Sequence, residues 1–198
     1  MITSVLGEMK EGLLFIVSAP AGTGKTTLVR KLIKEFPSIV ASVSYTTRQP
    51  RKGEIQGVHY HFVTESQFKE KIAADDFLEY VKLYDTYYGT SKKWVEDQLK
   101  KGKHVVLVID TQGAKKIGEV TETVSIFIRP PSLEVLGDRL MLRQTETQEM
   151  IEKRMEWAQK ELEAAKRYDY QLVNDDLDTA YQVLRSIFIA ESHRVKRS

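Results

Sequence analysis

The chain has no cysteine among its 198 residues. Disulfide bridges and thiolate metal sites are therefore excluded, and this usage fits a protein of a reducing compartment. No apolar run is long enough to span a membrane. The N-terminus lacks the basic region followed by an apolar region that is typical of a secretory signal. These absences predict a cytoplasmic protein without a membrane partner.

A large excess of charge of either sign is missing too. Lysine and arginine number 30 against 28 acidic residues, a formal net charge of +2, so we expect no nucleic-acid partner. The chain shows no internal repeat and no low-complexity linker. Its 41% hydrophobic and 29% charged residues are typical of a single globular domain with a sizeable core. The oligomeric state stays open.

The most informative stretch is LLFIVSAPAGTGKTT, residues 13–27. An apolar strand, a small loop and then a helical pattern predict a phosphate-binding loop, whose backbone N–H groups hold phosphates at the helix N-terminus. Lys25 would reach the β- and γ-phosphates of a nucleoside triphosphate, and the Thr26 hydroxyl would hold Mg²⁺. The predicted ATP-binding residues of this stretch are Ala19, Pro20, Ala21, Gly22, Thr23, Gly24, Lys25, Thr26 and Thr27.

The motif departs from its usual pattern at one position. Ala19 stands where the pattern has glycine, and alanine is tolerated there if its φ is not positive. The alternative is an ordinary strand-to-helix turn with a surface lysine. The strand, the helix and the spacing of Gly22, Gly24, Lys25 and Thr26 favour the phosphate-binding loop.

Apolar runs alternate with helical patterns along most of the chain. Continuous apolar strands separated by helices predict an α/β fold, with a parallel sheet covered by helices on both faces. Ligands of such sheets lie beyond the carboxyl ends of the strands. The predicted strands are residues 13–19, 39–43, 104–110, 125–128 and 171–173, and the predicted helices are residues 25–36, 133–143, 146–167 and 177–193.

The segment 44–101 breaks this alternation and is predicted to be an inserted subdomain. Arg48 and Arg51 flank Pro50 in a stiff segment, so their guanidinium groups can converge on one phosphate. Ser44 and Tyr60 could add hydroxyl donors. A solvated basic turn is the alternative.

Further along the insert, Glu79 lies between apolar and aromatic neighbours, which is unusual for a carboxylate without a partner. A carboxylate can accept two parallel hydrogen bonds from guanine, through N1–H and the 2-amino group, whereas adenine has neither donor. Thr90 could contact another edge of the base, and Tyr88 could reach the phosphate. Alternatively, Glu79 is a surface acid and the tyrosines belong to the core.

Asp110 ends a buried strand, where it could hold Mg²⁺ through water, contact the acceptor, or merely cap the next helix. Arg139 and Arg143 are four residues apart on one predicted helix face, and Arg154 follows on the next helix. These arginines could close over a transferring phosphoryl group. They could also form salt bridges on a helix surface.

With these motifs in place, the chain resembles a bacterial-type guanylate kinase over nearly its whole length. The resemblance rests on VSAPAGTGKTTL, SVSYTTRQPRKGE, GVHYHFV, FLEY, YYGTS, VLVIDTQGA and VNDDLDTAY. It implies a P-loop NTPase core at 1–43, 102–132 and 168–198, a GMP-binding insert at 44–101, and a helical lid at about 133–167. It also implies phosphoryl transfer from ATP to GMP or dGMP with Mg²⁺, in purine nucleotide metabolism.

The resemblance also implies roles for single residues. The phosphate of GMP would be held by Ser44, Arg48, Arg51, Tyr60 and Tyr88. The guanine would be read by Glu79, Thr90 and Asp110. The transferred phosphoryl group would be surrounded by Lys25, Arg48, Arg139, Arg143 and Arg154, and Asn174 would lie against the adenine.

Two positions depart from the family pattern. Val108 stands where family members usually carry an acid, and Gln144 replaces the glycine of the lid.

Two rival functions remain. One is a non-catalytic guanylate-kinase-like module that binds a phosphorylated peptide. The other is a kinase for a different small acceptor, which would lack the paired arginines with Glu79 downstream.

Overall fold

The computed structural model describes residues 5–6, 10–83, 85–142 and 148–195. The strands in this part of the chain are β1 (Leu14–Ser18), β2 (Ile39–Ala41), β3 (Tyr45–Thr46), β4 (His61–Phe62), β5 (Phe77–Leu83), β6 (Thr86–Ser91), β7 (His104–Val108), β8 (Val124–Arg129) and β9 (Tyr170–Val173). The helices are α1 (Lys25–Glu35), α2 (Glu65–Ala73), α3 (Lys92–Lys100), α4 (Thr111–Gly118), α5 (Leu133–Met141), α6 (Gln148–Ala164) and α7 (Leu177–Ser192), with a 3₁₀ turn at Ala165–Arg167.

Strand β1 lies in the middle of a five-stranded sheet of order β2-β7-β1-β8-β9. Every pairing in this sheet is parallel. All five residues of β1 are buried, as expected of a strand that is covered on both faces. The predicted α/β fold with a parallel sheet between helices is confirmed.

The two faces of β1 belong to two hydrophobic clusters, because successive side chains of a strand point to opposite sides. Phe15 and Val17 pack in the same cluster as residues of α1 and α7. Leu14 and Ile16 pack in the other cluster, with residues of α3 and α4. On the first face the rings of Phe15 and Phe188 are stacked with their centroids 3.8 Å apart.

The residues between β2 and β7 form a second sheet of order β4-β3-β6-β5, together with α2 and α3. Strands β5 and β6 are antiparallel, with a register shift between Phe77 and Glu79. Phe77, Glu79 and Val81 alternate with more exposed residues, so the glutamate lies on the buried face of β5.

Several boundaries differ from those expected from the sequence. β2 ends at Ala41 rather than at 43, and the helix predicted over 146–167 ends as a 3₁₀ turn. The predicted helices with stated bounds do not include α4, a short helix with a glycine in its first turn, although one interpretation of Asp110 was that it caps a following helix. Asp110 begins this helix, because its Oδ1 accepts hydrogen bonds from the N–H groups of Gln112 (2.7 Å) and Gly113 (2.9 Å). The capping role left open for Asp110 is therefore present in the structure.

No helix in the described ranges is long and apolar enough to cross a membrane.

Replacing Phe188 by alanine should lower the free energy of unfolding by about 3–5 kcal/mol, because it opens a cavity against Phe15. Urea denaturation followed by circular dichroism measures this change. The matched control is Val183→Ala on the exposed side of the same helix, which should stay within about 0.5 kcal/mol of the parent. Equal effects of the two variants would show that the stacked pair is not part of the stabilising core.

Replacing Asp110 by alanine removes the acceptor that begins α4 and should destabilise the protein by about 0.5–2 kcal/mol. Asp110→Asn keeps a side-chain oxygen at the cap and should retain most of that stability. Thermal denaturation of the two variants beside the parent gives the comparison. If the asparagine variant is as unstable as the alanine variant, the negative charge rather than the cap stabilises this helix.

Candidate active site

The loop that joins β1 to α1 has the geometry of a phosphate-binding loop. Gly22 and Gly24 have φ values of 92° and 88°, in the left-handed region that favours glycine. Gly24 is the N-cap residue of α1 and has no side chain that could bind the first N–H groups of the helix. These groups and the partial positive charge of the helix N-terminus are therefore available to an anion.

The alanine of the motif fits its place in this loop. Ala19 is buried, and the only non-glycine residues with positive φ in the described ranges are Asp75 and Asp85. Lys25 Nζ donates a hydrogen bond to the carbonyl oxygen of Ala19 (2.9 Å), so the lysine folds back over the loop. Thr26 and Thr27 are exposed at the start of α1.

Asn174 binds the phosphate-binding loop through its side chain. Its Nδ2 donates to the carbonyl oxygen of Thr23 (2.6 Å), and its own carbonyl accepts from Nη1 of Arg139 (3.0 Å). A side chain at Gly24 would bring its Cβ within 2.5 Å of Asn174 Nδ2, so glycine is needed for this close approach. In this structure Asn174 and Arg139 therefore bind protein groups that support the loop.

A cleft of about 440 Å³ extends from the loop to the second sheet. It brings together most of the side chains predicted for the two substrates. The predicted residues that line it are Ala19, Ala21, Lys25, Ser44, Arg48, Arg51, Tyr60, Glu79, Tyr88, Asp110 and Arg154. Arg143 and Gln144 lie outside the described residues.

The arginine pair is held by an acid that the sequence did not single out. Arg48 Nη2 and Glu54 Oε1 form an ion pair of 2.8 Å, and Glu54 Oε2 accepts from the backbone N–H of Arg51 (2.7 Å). The hydrogen bond from Arg48 lowers the pKa of Glu54, which therefore stays ionised. Arg48 also lies over the rings of Tyr60 and Phe62. The only signal in the sequence is one acid six residues beyond Arg48.

Glu79 is a buried carboxylate in the wall of the cleft, with only 6% of its surface exposed. Its Oε1 accepts from the hydroxyl of Thr90 (2.8 Å), which lies behind it and is completely buried. Its Oε2 has no hydrogen-bond partner among the described residues, and a Cβ at Gly113 would come within 2.9 Å of it. Burial raises the pKa of Glu79 to about 7, and the charge of Asp110 acts in the same direction.

Helix α6 contributes a further acid, which sequence reasoning missed. Glu161 lines the cleft with Met150, Arg154 and Trp157. Burial raises the pKa of Glu161 to about 7, while the positive charge of Lys25 opposes this shift. Ala158, Glu161 and Ala165 are all buried and lie at helical spacing. An acid within an apolar helix face was therefore the feature of the sequence that could have indicated Glu161.

The chemistry of these side chains fits Mg²⁺ that is bound together with a triphosphate. Mg²⁺ usually keeps several waters and takes one or two carboxylates besides substrate phosphates. The Thr26 hydroxyl is exposed at the helix start, and Asp110 lines the cleft. No cluster of three or more metal-ligating side chains occurs among the described residues. The Thr26 hydroxyl and the Asp110 carboxylate are oxygen donors of the kind that Mg²⁺ takes beside substrate phosphates.

Comparison with known proteins agrees with this geometry. The family model described as guanylate kinase matches residues 11–191. A guanylate kinase of Protochlamydia amoebophila (strain UWE25) is 65% identical over 191 residues, which cover 96% of this chain and 97% of that protein. A guanylate kinase of Chlamydia muridarum is 54% identical over 183 residues, which cover 92% and 89%.

Among solved structures, the crystal structure of guanylate kinase from Anaplasma phagocytophilum superimposes with a TM-score of 0.80 at 34% identity. The match covers 95% of this chain and 90% of that one. The extent of the family match, the two sequence relatives and this superposition lead to the same conclusion: the chain belongs to the guanylate kinase family.

Proposed function

We propose that the protein transfers the γ-phosphoryl group of ATP to GMP or dGMP and releases ADP and GDP or dGDP. The observation that carries the proposal is that one cleft joins Lys25 of the phosphate-binding loop to the Arg48–Arg51 pair and Glu79. A triphosphate site and a site for a purine monophosphate therefore share one space.

The arginine pair binds the phosphate of the acceptor. Arg48 and Arg51 lie on one turn whose backbone Glu54 holds in place, and the ion pair with Glu54 also orders the guanidinium of Arg48 before a phosphate binds. Ser44, Tyr60 and Tyr88 line the same part of the cleft and supply hydroxyl donors.

Glu79 selects the base. Its Oε2 has no donor within the described protein, and a buried acceptor without a partner costs free energy. Guanine supplies N1–H and the 2-amino group, whereas adenine presents no donor there. Thr90 holds the carboxylate in place through Oε1, and Asp110 contributes at the neighbouring edge.

The donor lies on the other side of the cleft. The β- and γ-phosphates of ATP bind the loop N–H groups and Lys25, and the adenine lies near Asn174. Thr26 would hold Mg²⁺, with Asp110 acting through water, and the bound ion would supply positive charge and orientation for these phosphates.

The reaction needs no general base, because the attacking oxygen of GMP is already an anion. The protein brings two anionic substrates into line, neutralises their charge with Lys25, Arg48, Arg139, Arg143 and Arg154, and excludes water. We assign the core to residues 1–43, 102–132 and 168–198, the GMP-binding insert to 44–101, and the closing lid to about 133–167. Closure prevents hydrolysis of ATP.

This reaction places the protein in purine nucleotide metabolism, and we propose the cytoplasm as its location. The rival reading as a non-catalytic phosphopeptide-binding module is less well supported, because Lys25 and the loop glycines are in place. A kinase for another acceptor does not account for the buried Glu79 beside the arginine pair.

ADP release measured in a coupled assay with GMP, AMP, CMP or UMP tests the function. GMP should be phosphorylated, and kcat/KM for AMP should be lower by about 10⁴-fold. Lys25→Met should abolish turnover with GMP without changing the circular dichroism spectrum. Lys31→Met on the same helix is the control, since Lys31 pairs with Asp178 on the surface. Failure to use GMP would refute the proposal.

The raised pKa of Glu79 gives a pH dependence with a definite sign. Below about pH 7 the free side chain is protonated and loses one acceptor, so kcat/KM for GMP should fall about tenfold per pH unit. Glu79→Gln should lower kcat/KM by about 10- to 100-fold at pH 8 and should remove this part of the profile. The variant controls for the titration of GMP itself. Superimposable profiles would contradict the role of Glu79 in base recognition.

A further inference from the structure

Glu161 is a buried acid that has no role in the reaction described above. Only 5% of its surface is exposed, although glutamate is rarely buried without a partner. Among the described residues it forms no hydrogen bond or salt bridge, and it lines the cleft. A carboxylate in such a place is costly to retain unless something that enters the cleft partners it.

Two buried hydroxyl groups near Glu161 have no hydrogen-bond partner among the described residues. Lys25 and Asp110 line the same cleft as Glu161; the charge of Lys25 attracts its carboxylate, and that of Asp110 repels it. The hydroxyl of Tyr168 lies close to that of Ser18 and near the same two acids, but neither hydroxyl has a well-formed hydrogen bond. Ordered water is the usual partner of such groups.

Among the described residues of the five-stranded sheet and its strand ends, Asp110 is the one acid that lines the cleft. Strand β7 ends at Val108, whose apolar side chain lines the cleft two residues before Asp110. Mg²⁺ takes one or two carboxylates, and α6 can supply a second one through Glu161. Two carboxylates, water and phosphate oxygens form a donor set that suits Mg²⁺.

We propose that Glu161 acts with Asp110 on the magnesium side of the active site and holds, through water, the ion that accompanies ATP. This inference rests on the proposed function for its ATP site but not for its acceptor. Because α6 belongs to the lid, binding of the ion would also fix the lid helix against the phosphate-binding loop.

Glu161→Gln tests the proposal by metal binding rather than by turnover. Calorimetry measures the affinity for a non-hydrolysable β,γ-imido analogue of ATP, first in EDTA and then across a Mg²⁺ titration, without GMP. In EDTA the variant should bind the analogue within twofold of the parent. The Mg²⁺ concentration that gives half of the metal-dependent gain in affinity should rise about 10- to 100-fold.

The matched control is Glu163→Gln, two residues along the same helix, where the acid is exposed and pairs with Lys166 at 2.6 Å. It should leave both affinities unchanged. A second variant, Val108→Glu combined with Glu161→Gln, returns an acid to the cleft from β7. It should restore at least part of the metal dependence.

Three results would overturn the proposal. Equal weakening of analogue binding in EDTA and in Mg²⁺ would mean that Glu161 only positions Lys25. An unchanged metal dependence would mean that the carboxylate of Glu161 takes no part in binding Mg²⁺. If Val108→Glu does not restore the metal dependence, a second acid in the cleft is not what determines Mg²⁺ affinity. If the Tm of Glu161→Gln lies far below that of the parent, two other single variants replace it. Glu161→Asp and Val108→Glu are then each compared with the parent in the same Mg²⁺ titration. Lack of GMP turnover with normal metal dependence would instead refute only the proposed acceptor.

Discussion

The burial of β1 is the constraint on which the rest of the structure depends. This strand has parallel neighbours on both edges and helices on both faces, so its carboxyl end has one position only. The loop that follows must leave the sheet at that point and begin α1 at once. Left-handed glycines at 22 and 24 make this turn possible, and the bond from Asn174 to Thr23 keeps it in place. The phosphate-binding geometry is thus a property of the sheet as much as of the motif.

The cleft beside this loop concentrates acids in a region that will receive anions. Glu79, Asp110 and Glu161 all line it, yet their surroundings differ. Thr90 holds Glu79, the first turn of α4 holds Asp110, and Lys25 attracts Glu161. Because burial disfavours charge on Glu79 and Glu161, the site carries fewer negative charges before its substrates arrive than its composition suggests. Binding of hydrogen-bond donors or of a cation then favours the ionised forms.

The sequence predicted the parallel sheet and the phosphate-binding loop because both leave local signals. Runs such as 105–109 are apolar throughout, and the glycines with Lys25 have a fixed spacing. It did not predict the second sheet, in which β3 and β4 have only two residues each and β3 pairs with the distant β6. Glu54 and Glu161 were missed for a related reason. Their importance depends on which side chain they meet after folding, and Arg48 and Lys25 are known as their neighbours only from the structure.

The link between Asn174 and the phosphate-binding loop has a consequence for the C-terminal part of the chain. Asn174 follows β9, the edge strand of the sheet, and α7 begins three residues later. A ligand that binds only the folded loop also stabilises each segment whose unfolding would break the hydrogen bond between Asn174 and Thr23. Nucleotide binding at the loop therefore also stabilises β9 and α7. Slower amide hydrogen exchange in α7 would report that a nucleotide occupies the phosphate-binding loop.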